Sequence, residues 1–171
     1  MERYQLQSQA SLSAMSEVIM MIPRFCSTMK WEDAPDSDYK VVTENCTYQL
    51  TEIAHVTVPR GFFTDLASVP PPFNNLYPAN GKYAAAAVLH DFLCEYLSIT
   101  IKGKPTSITR RMADDIFMDA MFQLGVNTSE VRVLYESVVT YRILCGKDKP
   151  STTRAKRDLE AKWWKNNVLC T

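Results

Sequence analysis

The sequence predicts an α+β fold, in which a small antiparallel β-sheet packs against a bundle of about four helices, one of them buried at the centre. Three observations lead to this prediction. Between residues 39 and 58, β-branched and polar residues alternate as they do in strands. From residue 82 onward, apolar residues recur with helical spacing. The helix that begins there is apolar around almost its whole circumference, which is typical of a helix buried on several sides.

The 171 residues are enough for one domain with a real hydrophobic core. We divide them into an N-terminal arm of uncertain structure (1–37), a single α+β core domain (38–146) and a basic C-terminal tail helix (147–171). Within the arm, Glu17–Phe25 fits either a strand or a short helix. The acidic run Trp31–Asp38 is interrupted by a proline and predicts an exposed loop.

The strands come first in the chain. Residues 39–43, 47–50 and 53–58 predict a small antiparallel meander, and another short strand is expected at 98–102. Between them lies a loop that three consecutive prolines, at 70–72, should hold in a fixed conformation.

The helices fill most of the remaining chain. We predict them at 82–97, at 110–124, over a third stretch that ends near 146, and at about 151–166. Thr109 is the expected N-cap of the second helix, and Asn127 or Thr128 that of the third. Gly125 and Gly146 stand where the second and third should end.

The overall composition limits which kinds of molecule the chain is expected to bind. The formal net charge is +0, so it favours neither nucleic acid nor an anionic membrane, and no segment has the length of a membrane span. The five cysteines are odd in number, scattered and without C-x-x-C spacing: Cys26, Cys46, Cys94, Cys145 and Cys170. This pattern argues against a zinc ribbon and a disulfide framework, and favours free thiols in a reducing cytosol.

Two polar clusters lie in apolar sequence, where an unpaired carboxylate or imidazole is costly to bury. The first is Asp65 with Ser68, after the strand region; Asp65 is equally suited to cap a short helical turn. The second is His90 with Asp91, in the middle of the central helix. Adjacent side chains of a helix diverge by about 100°, so we expect His90 and Asp91 to flank a site rather than to bind side by side.

The next helix supplies another carboxylate. Asp114 lies at the edge of its apolar stripe and is expected to face inward, whereas Asp115 falls on the opposite face and is expected to be solvated. Cys94 lies one helical turn after His90, and we interpret it as a small buried hydrophobic residue.

These side chains suggest a metal site. Asp65, His90 and Asp114 offer oxygen and imidazole ligands that suit zinc, manganese or magnesium, with a position left for water or substrate. Asp91 would act as the base or orient a ligand. Ser68 could pair with His90 as a nucleophile, although no nucleophile-elbow sequence presents it. The alternative is a buried hydrogen-bond network that has no catalytic role and ties three elements together.

The tail helix carries adjacent tryptophans among lysines. Trp163 and Trp164 are candidate partner-binding residues, since they could stack on rings or contact another protein. The alternative is that the helix docks its tryptophan on the parent domain.

Three segments resemble a family found in tailed bacteriophages and prophages, the domain of unknown function 1353. They read VPRGFFTDLASVPPPF, AAAAVLHDFLCEY and RRMADDIFMDAM, and the resemblance covers about 58–124. It places the family's polar positions on Thr64, Asp65, Ser68, His90, Asp91 and Asp114. A tyrosine commonly follows HD-x-L in the family, but Cys94 stands there in this chain. The resemblance implies a phage gene product and no established activity.

Two functions remain open, and the sequence does not decide whether the chain is an enzyme. One is a phage-encoded metal-dependent hydrolase of phosphodiester or cell-wall bonds. The other is a virion or tail component, or a module that binds or inhibits a host protein. For either we expect the host cytoplasm or the virion as the location. The expected partner is a phage or host protein; assembly of identical copies stays open, and nucleic acid is disfavoured.

Overall fold

The structure, a computed structural model, describes residues 23–35, 37–66 and 81–168. Within these ranges it contains two antiparallel sheets and four helices, which confirms the predicted α+β class. The strands are β1 (Arg24–Phe25), β2 (Trp31–Asp33), β3 (Lys40–Val42), β4 (Cys46–Thr51), β5 (Ala54–Val58), β6 (Phe63–Thr64), β7 (Ser98–Ile101) and β8 (Lys104–Ser107). The helices are α1 (Ala84–Tyr96), α2 (Arg110–Gln123), α3 (Thr128–Cys145) and α4 (Arg154–Val168).

The strands form two sheets instead of the single meander predicted. The five-stranded sheet has the order β1-β4-β5-β7-β8, and the three-stranded sheet has the order β2-β3-β6. In the first, Tyr48 lies opposite Val56, and both are buried. In the second, Val41 lies opposite Phe63, and both are buried as well. Each sheet therefore contributes an apolar face to the interior.

Two details of the sheets differ from the prediction. Trp31–Asp33 was predicted as part of a loop, which is wrong, because this segment pairs with Lys40–Val42 as β2. The acidic residues of this strand are exposed, so its sequence does not show the alternation of apolar and polar residues by which a strand is predicted. Its conformation is set by pairing with the neighbouring strand. The turn after β7 leads into β8, because Lys102 and Gly103 both have positive φ, as a tight hairpin turn requires.

Helix α1 is the buried centre of the molecule. Its small residues Ala86 and Ala87 are fully covered, and α1 packs against α2, which in turn packs against α3. The predicted cap of α2 is confirmed, since Thr109 accepts a hydrogen bond from the N–H of Met112. Of the two candidates for the cap of α3, it is Asn127 that accepts a hydrogen bond, from the N–H of Glu130. Among the described residues, no helix is long and apolar enough to span a bilayer.

The C-terminal helix packs on the three-stranded sheet. Trp163 is buried in a small cluster with Ala34, Val41 and Phe63, and Glu160 Oε1 accepts a hydrogen bond from the N–H of Phe63 at 3.2 Å. Trp164 beside it is 41% exposed. Strand β6 thus contacts α1 as well as α4.

The close approach of α4 to Gly61 generates a stability prediction. Gly61 has a φ of +80°, and a Cβ there would lie 2.8 Å from Trp164 Nε1 and 2.9 Å from Trp163 Cζ3. Gly125 has a similar φ of +71° but no atom within 4 Å of such a Cβ. Either substitution to alanine should lower the free energy of unfolding by about 1–2 kcal/mol, because a side chain is strained at a positive φ. Gly61→Ala should lower it by roughly 1–3 kcal/mol more, because the added methyl group overpacks against the tryptophans.

Urea unfolding followed by tryptophan fluorescence measures both losses. Equal destabilisation by Gly61→Ala and Gly125→Ala would show that α4 is not held against this turn.

Candidate functional site

The site centres on His90, which lies at the midpoint of α1 and is 4% exposed. Its Nε2 is 2.9 Å from Oδ1 of Asp114 and 3.3 Å from Sγ of Cys94. Cys94 follows one turn later, so it lies on the same face of α1. The ring of Phe117 on α2 stacks on the imidazole, with 4.8 Å between centroids. One imidazole nitrogen therefore meets a carboxylate and a thiol within an otherwise apolar setting.

Asp114 on α2 links three helices. It is 1% exposed, which confirms the prediction that it faces inward. While Oδ1 contacts His90, Oδ2 accepts a hydrogen bond from Arg142 Nε on α3 at 2.7 Å. Both carboxylate oxygens thus have a cationic or potentially cationic partner. Asp115, expected to be solvated, is partly buried and accepts a hydrogen bond from the hydroxyl of Tyr135 at 2.7 Å; the packing of α3 against α2 makes this contact.

The local electrostatics favour a charged pair. Burial alone would lower the pKa of His90, but the Cys94 sulfur and the hydrogen bond to Asp114 raise it to about 10. Burial acts to raise the pKa of Asp114, but its hydrogen bonds to His90 and Arg142, together with their positive charges, hold it below the usual value. Both shifts favour the charged form of the pair, in which an imidazolium donates a hydrogen bond to a carboxylate.

Asp91 has a different set of contacts from His90, as its position on α1 predicts. Thr64 donates a hydrogen bond from Oγ1 to Asp91 Oδ2 at 2.5 Å, and the same Oγ1 accepts one from the N–H of Leu66 at 3.1 Å. Leu66 has a φ of 54°, in the left-handed region that is uncommon for leucine. The Thr64–Asp91 contact thus ties the end of β6 to α1 beside the site.

A pocket of about 350 Å³ opens next to this group. Four of the polar residues that sequence analysis considered line it: Asp65, His90, Asp91 and Cys94. Asp114 lies behind His90, away from the lining. Ser68 and the prolines at 70–72 fall outside the described residues. Trp163 lines a separate cavity of about 210 Å³, together with Phe63 and Leu159.

Within the described ranges, one group of side chains has the geometry to hold a metal ion. It consists of His90, Cys94 and Asp114, all buried, with ligand atoms that lie within 4.8 Å of one another. The structure brings together two of the three predicted ligands, His90 and Asp114, whereas Asp65 is exposed and does not belong to the group. Cys94 was missed as a ligand, although its i+4 spacing from His90 signals a shared face.

The distances suit zinc after a small expansion. Around a tetrahedral zinc ion, a nitrogen and an oxygen ligand lie about 3.4 Å apart, and a nitrogen and a sulfur ligand about 3.6 Å apart. The corresponding distances here are 2.9 Å and 3.3 Å. The side chains would therefore have to separate by about 0.3–0.5 Å to fit the zinc bond lengths.

The chain beyond α3 forms another wall of the pocket. The carbonyl oxygen of Cys94 accepts hydrogen bonds from the N–H of Ser151 at 3.1 Å, from Ser151 Oγ at 3.2 Å and from Arg110 Nη1 at 3.2 Å. In addition, Lys156 of α4 forms an ion pair with Glu95 of α1. These contacts fix the C-terminal end of α1, and with it the position of Cys94.

The buried pair should be visible as a pH-dependent contribution to stability. Asp114→Asn leaves His90 and Arg142 without their carboxylate and should lower the free energy of unfolding by about 3–5 kcal/mol, as breaking a buried ion pair does. Asp115→Asn, at the neighbouring position, should cost clearly less because Asp115 is only partly buried.

The sign of the pH effect follows from the two shifts. The stabilisation from Asp114 is present above its ordinary pKa of 3.8 and is lost as the pH falls. That from His90 is full below its ordinary pKa of 6.5 and is lost as the pH rises through about 10. Urea unfolding at several pH values should give the largest wild-type advantage over Asp114→Asn between these two ordinary values. An advantage that grows above pH 7 would contradict the assignment.

Comparison with known proteins gives a family and no named relative. A scan of protein families matches residues 40–138 to the family described as "Protein of unknown function (DUF1353)". Neither a search of curated proteins nor a search of solved structures gave a match. The matched range contains His90, Cys94 and Asp114, whereas Arg142 and Lys156 lie beyond it. Since the match spans more than half of the 171 residues, this chain belongs to the DUF1353 family of proteins of unknown function.

Proposed function

We propose that this chain is a phage-encoded, metal-dependent hydrolase that acts on a phosphodiester or cell-wall bond. One observation carries the proposal: a buried group of three potential metal ligands, His90, Cys94 and Asp114, lies beside a pocket of about 350 Å³. Three protein ligands with a fourth position open to substrate are typical of a catalytic zinc site.

The ligand types favour zinc over manganese or magnesium. A cysteine thiolate is a soft ligand that suits zinc, whereas magnesium and manganese prefer oxygen ligands. Arg142 supports this assignment, because its hydrogen bond to Oδ2 of Asp114 at 2.7 Å would orient the carboxylate that binds through Oδ1. The stacked ring of Phe117 fixes the plane of the imidazole in the same way.

The pocket residues provide the remaining chemistry. Zinc held by His90, Cys94 and Asp114 would lower the pKa of a bound water to about 7 and polarise the bond to be cleaved. Asp91 lines the pocket next to His90 and is held by Thr64, so we assign it the role of the base that accepts a proton. Asp65 also lines the pocket and is exposed, which suits a contact with substrate. A catalytic role for Ser68 stays a prediction.

A second candidate is a non-enzymatic protein that binds a host protein or forms part of the virion or tail. It is favoured by the way His90, Asp114 and Arg142 already satisfy one another, so the group can also serve as a purely structural network. Ile143 and Leu144, at the end of α3, are 65% and 79% exposed and would be available for such contacts.

Metal binding separates the two candidates. The full chain, freed of metal with a chelator, should take up one equivalent of Zn²⁺ in a calorimetric titration. Cys94→Ala should weaken this binding at least about tenfold, on the scale of losses seen around zinc sites. Cys46→Ala is the matched control, because Cys46 is also buried but lies in β4. Equal affinities in the two variants, or no stoichiometric uptake, would reject the hydrolase.

The pH dependence of binding is a further prediction. Because the ligands must lose their protons to bind, and the pKa of His90 is raised to about 10, zinc binding should release protons and weaken as the pH falls. Titrations in buffers of different ionisation enthalpy measure the number of protons released. Binding that strengthens at lower pH would contradict ligation by His90.

A further inference from the structure

Glu95 carries a buried oxygen that no group in the described residues satisfies. Glu95 is 3% exposed and lines the same pocket as His90 and Cys94. Its Oε2 accepts a hydrogen bond from Lys156, but its Oε1 has no hydrogen-bond partner there. Lys156 is itself fixed, since its ammonium lies 4.0 Å from the centroid of the Phe62 ring. The pocket wall therefore contains one strong, unused acceptor.

Arg110 provides an unused donor in the same wall. Its Nη1 donates to the carbonyl oxygen of Cys94 at 3.2 Å, which fixes the guanidinium in place. Its Nε is buried and has no hydrogen-bond partner among the described residues. Arg110 and Glu95 both line the pocket. The wall thus carries one acceptor that can only accept and one donor that can only donate.

Leaving these two polar atoms, on Glu95 and Arg110, without hydrogen-bond partners destabilises the protein. A buried polar atom without a partner costs about 1–3 kcal/mol, and more when the group is charged. Most buried polar atoms in native proteins are satisfied, and those that are not often have a functional reason. A ligand that donates to Glu95 and accepts from Arg110 would remove both costs at once.

The charges of the pocket select among the possible ligands. Besides His90, three carboxylates and three cations line it, namely Asp65, Asp91, Glu95, Arg110, Lys147 and Lys156. A phosphodiester has only acceptor oxygens, so it cannot donate a hydrogen bond to Glu95. A neutral sugar can donate and accept hydrogen bonds, but it has no charge that could pair with the carboxylates or with the cations of the pocket. A peptide carries N–H donors, C=O acceptors and terminal charges of both signs.

We propose that the pocket binds a short peptide, with the carboxylate of Glu95 accepting a peptide N–H and the guanidinium of Arg110 donating to a peptide carbonyl. The binding site depends on these two groups alone, whereas its use as a substrate site rests on the proposed hydrolase. In that case the bond cleaved is an amide. Water adds to the carbonyl carbon as Asp91 accepts one of its protons, the C–N bond breaks, and the amine leaves with the proton from Asp91. The second proton of the water passes from the carboxylic acid to the amine, so that a carboxylate and an ammonium are the products.

The test compares three probes on the full chain: the dipeptide dialanine with both termini free, dimethyl phosphate and N-acetylglucosamine. Binding is measured by NMR chemical-shift titration, once in chelator-treated protein and once with zinc. The dipeptide should bind most tightly in both forms, with the largest shifts in α1 and at the start of α2.

Two variants remove the recognising groups separately. The double variant Glu95→Met with Lys156→Met removes the acceptor without leaving its cation unpaired, and Arg110→Met removes the donor. Each should weaken dipeptide binding at least about tenfold, the effect of about 1.4 kcal/mol. Glu136→Met, on the exposed face of α3, should leave it unchanged. Urea unfolding checks that every variant is folded, and the wild-type ranking of the three probes stands even where a variant is not.

The outcomes separate the two proposals. Peptide binding that depends on Glu95 and Arg110, without zinc uptake, supports the peptide site and rejects the hydrolase. Zinc uptake with equal or tighter binding of the phosphate or the sugar keeps the metal site and overturns the peptide site. Peptide binding unchanged in both folded variants, or no binding of the dipeptide, also overturns it.

Discussion

The structure depends on the contact between His90 of α1 and Asp114 of α2, supported from behind by Arg142 of α3. Each of these groups would be costly to bury alone, and each is tolerated because the others supply the opposite charge and the hydrogen bonds. The contact also fixes how the three helices lie relative to one another, since hydrogen bonds tolerate little change in distance or angle. The buried polar contact among His90, Asp114 and Arg142 and the packing of the three helices therefore depend on each other.

The alanine-rich surface of α1 makes this arrangement possible. Small, fully covered side chains such as Ala86 and Ala87 allow neighbouring elements to approach closely. The C-terminal half of the helix then carries the polar residues that face the pocket. That half is fixed by groups from distant parts of the chain, because Ser151 and Arg110 both hydrogen-bond to the carbonyl of Cys94. The family-matched region contributes the candidate metal ligands, while residues beyond it provide one wall of the pocket.

Local patterns predicted the helices and the inward-facing carboxylate well, since both follow from the helical period and from capping chemistry. Thr109 was predicted as a cap, and Asn127 as one of two candidates, because a side-chain oxygen before a helix can accept a hydrogen bond from a nearby backbone N–H. Trp31–Asp33 was missed because an exposed edge strand takes its conformation from the strand beside it. Cys94 was missed because a buried cysteine resembles any small apolar residue until its neighbours are known.

The sequence by itself determined the α+β class, the existence and order of the helices, and the presence of His90 and Asp114 in buried positions, because these depend on periodicities within a few turns of chain. Only the tertiary structure decided which groups meet: that Cys94 joins His90 and Asp114, that Asp91 contacts Thr64, and that Glu95 and Arg110 line one pocket. The physical reason is the range of the interactions. Hydrogen bonds and ion pairs act over a few ångströms, and the packing of distant segments alone brings these side chains that close.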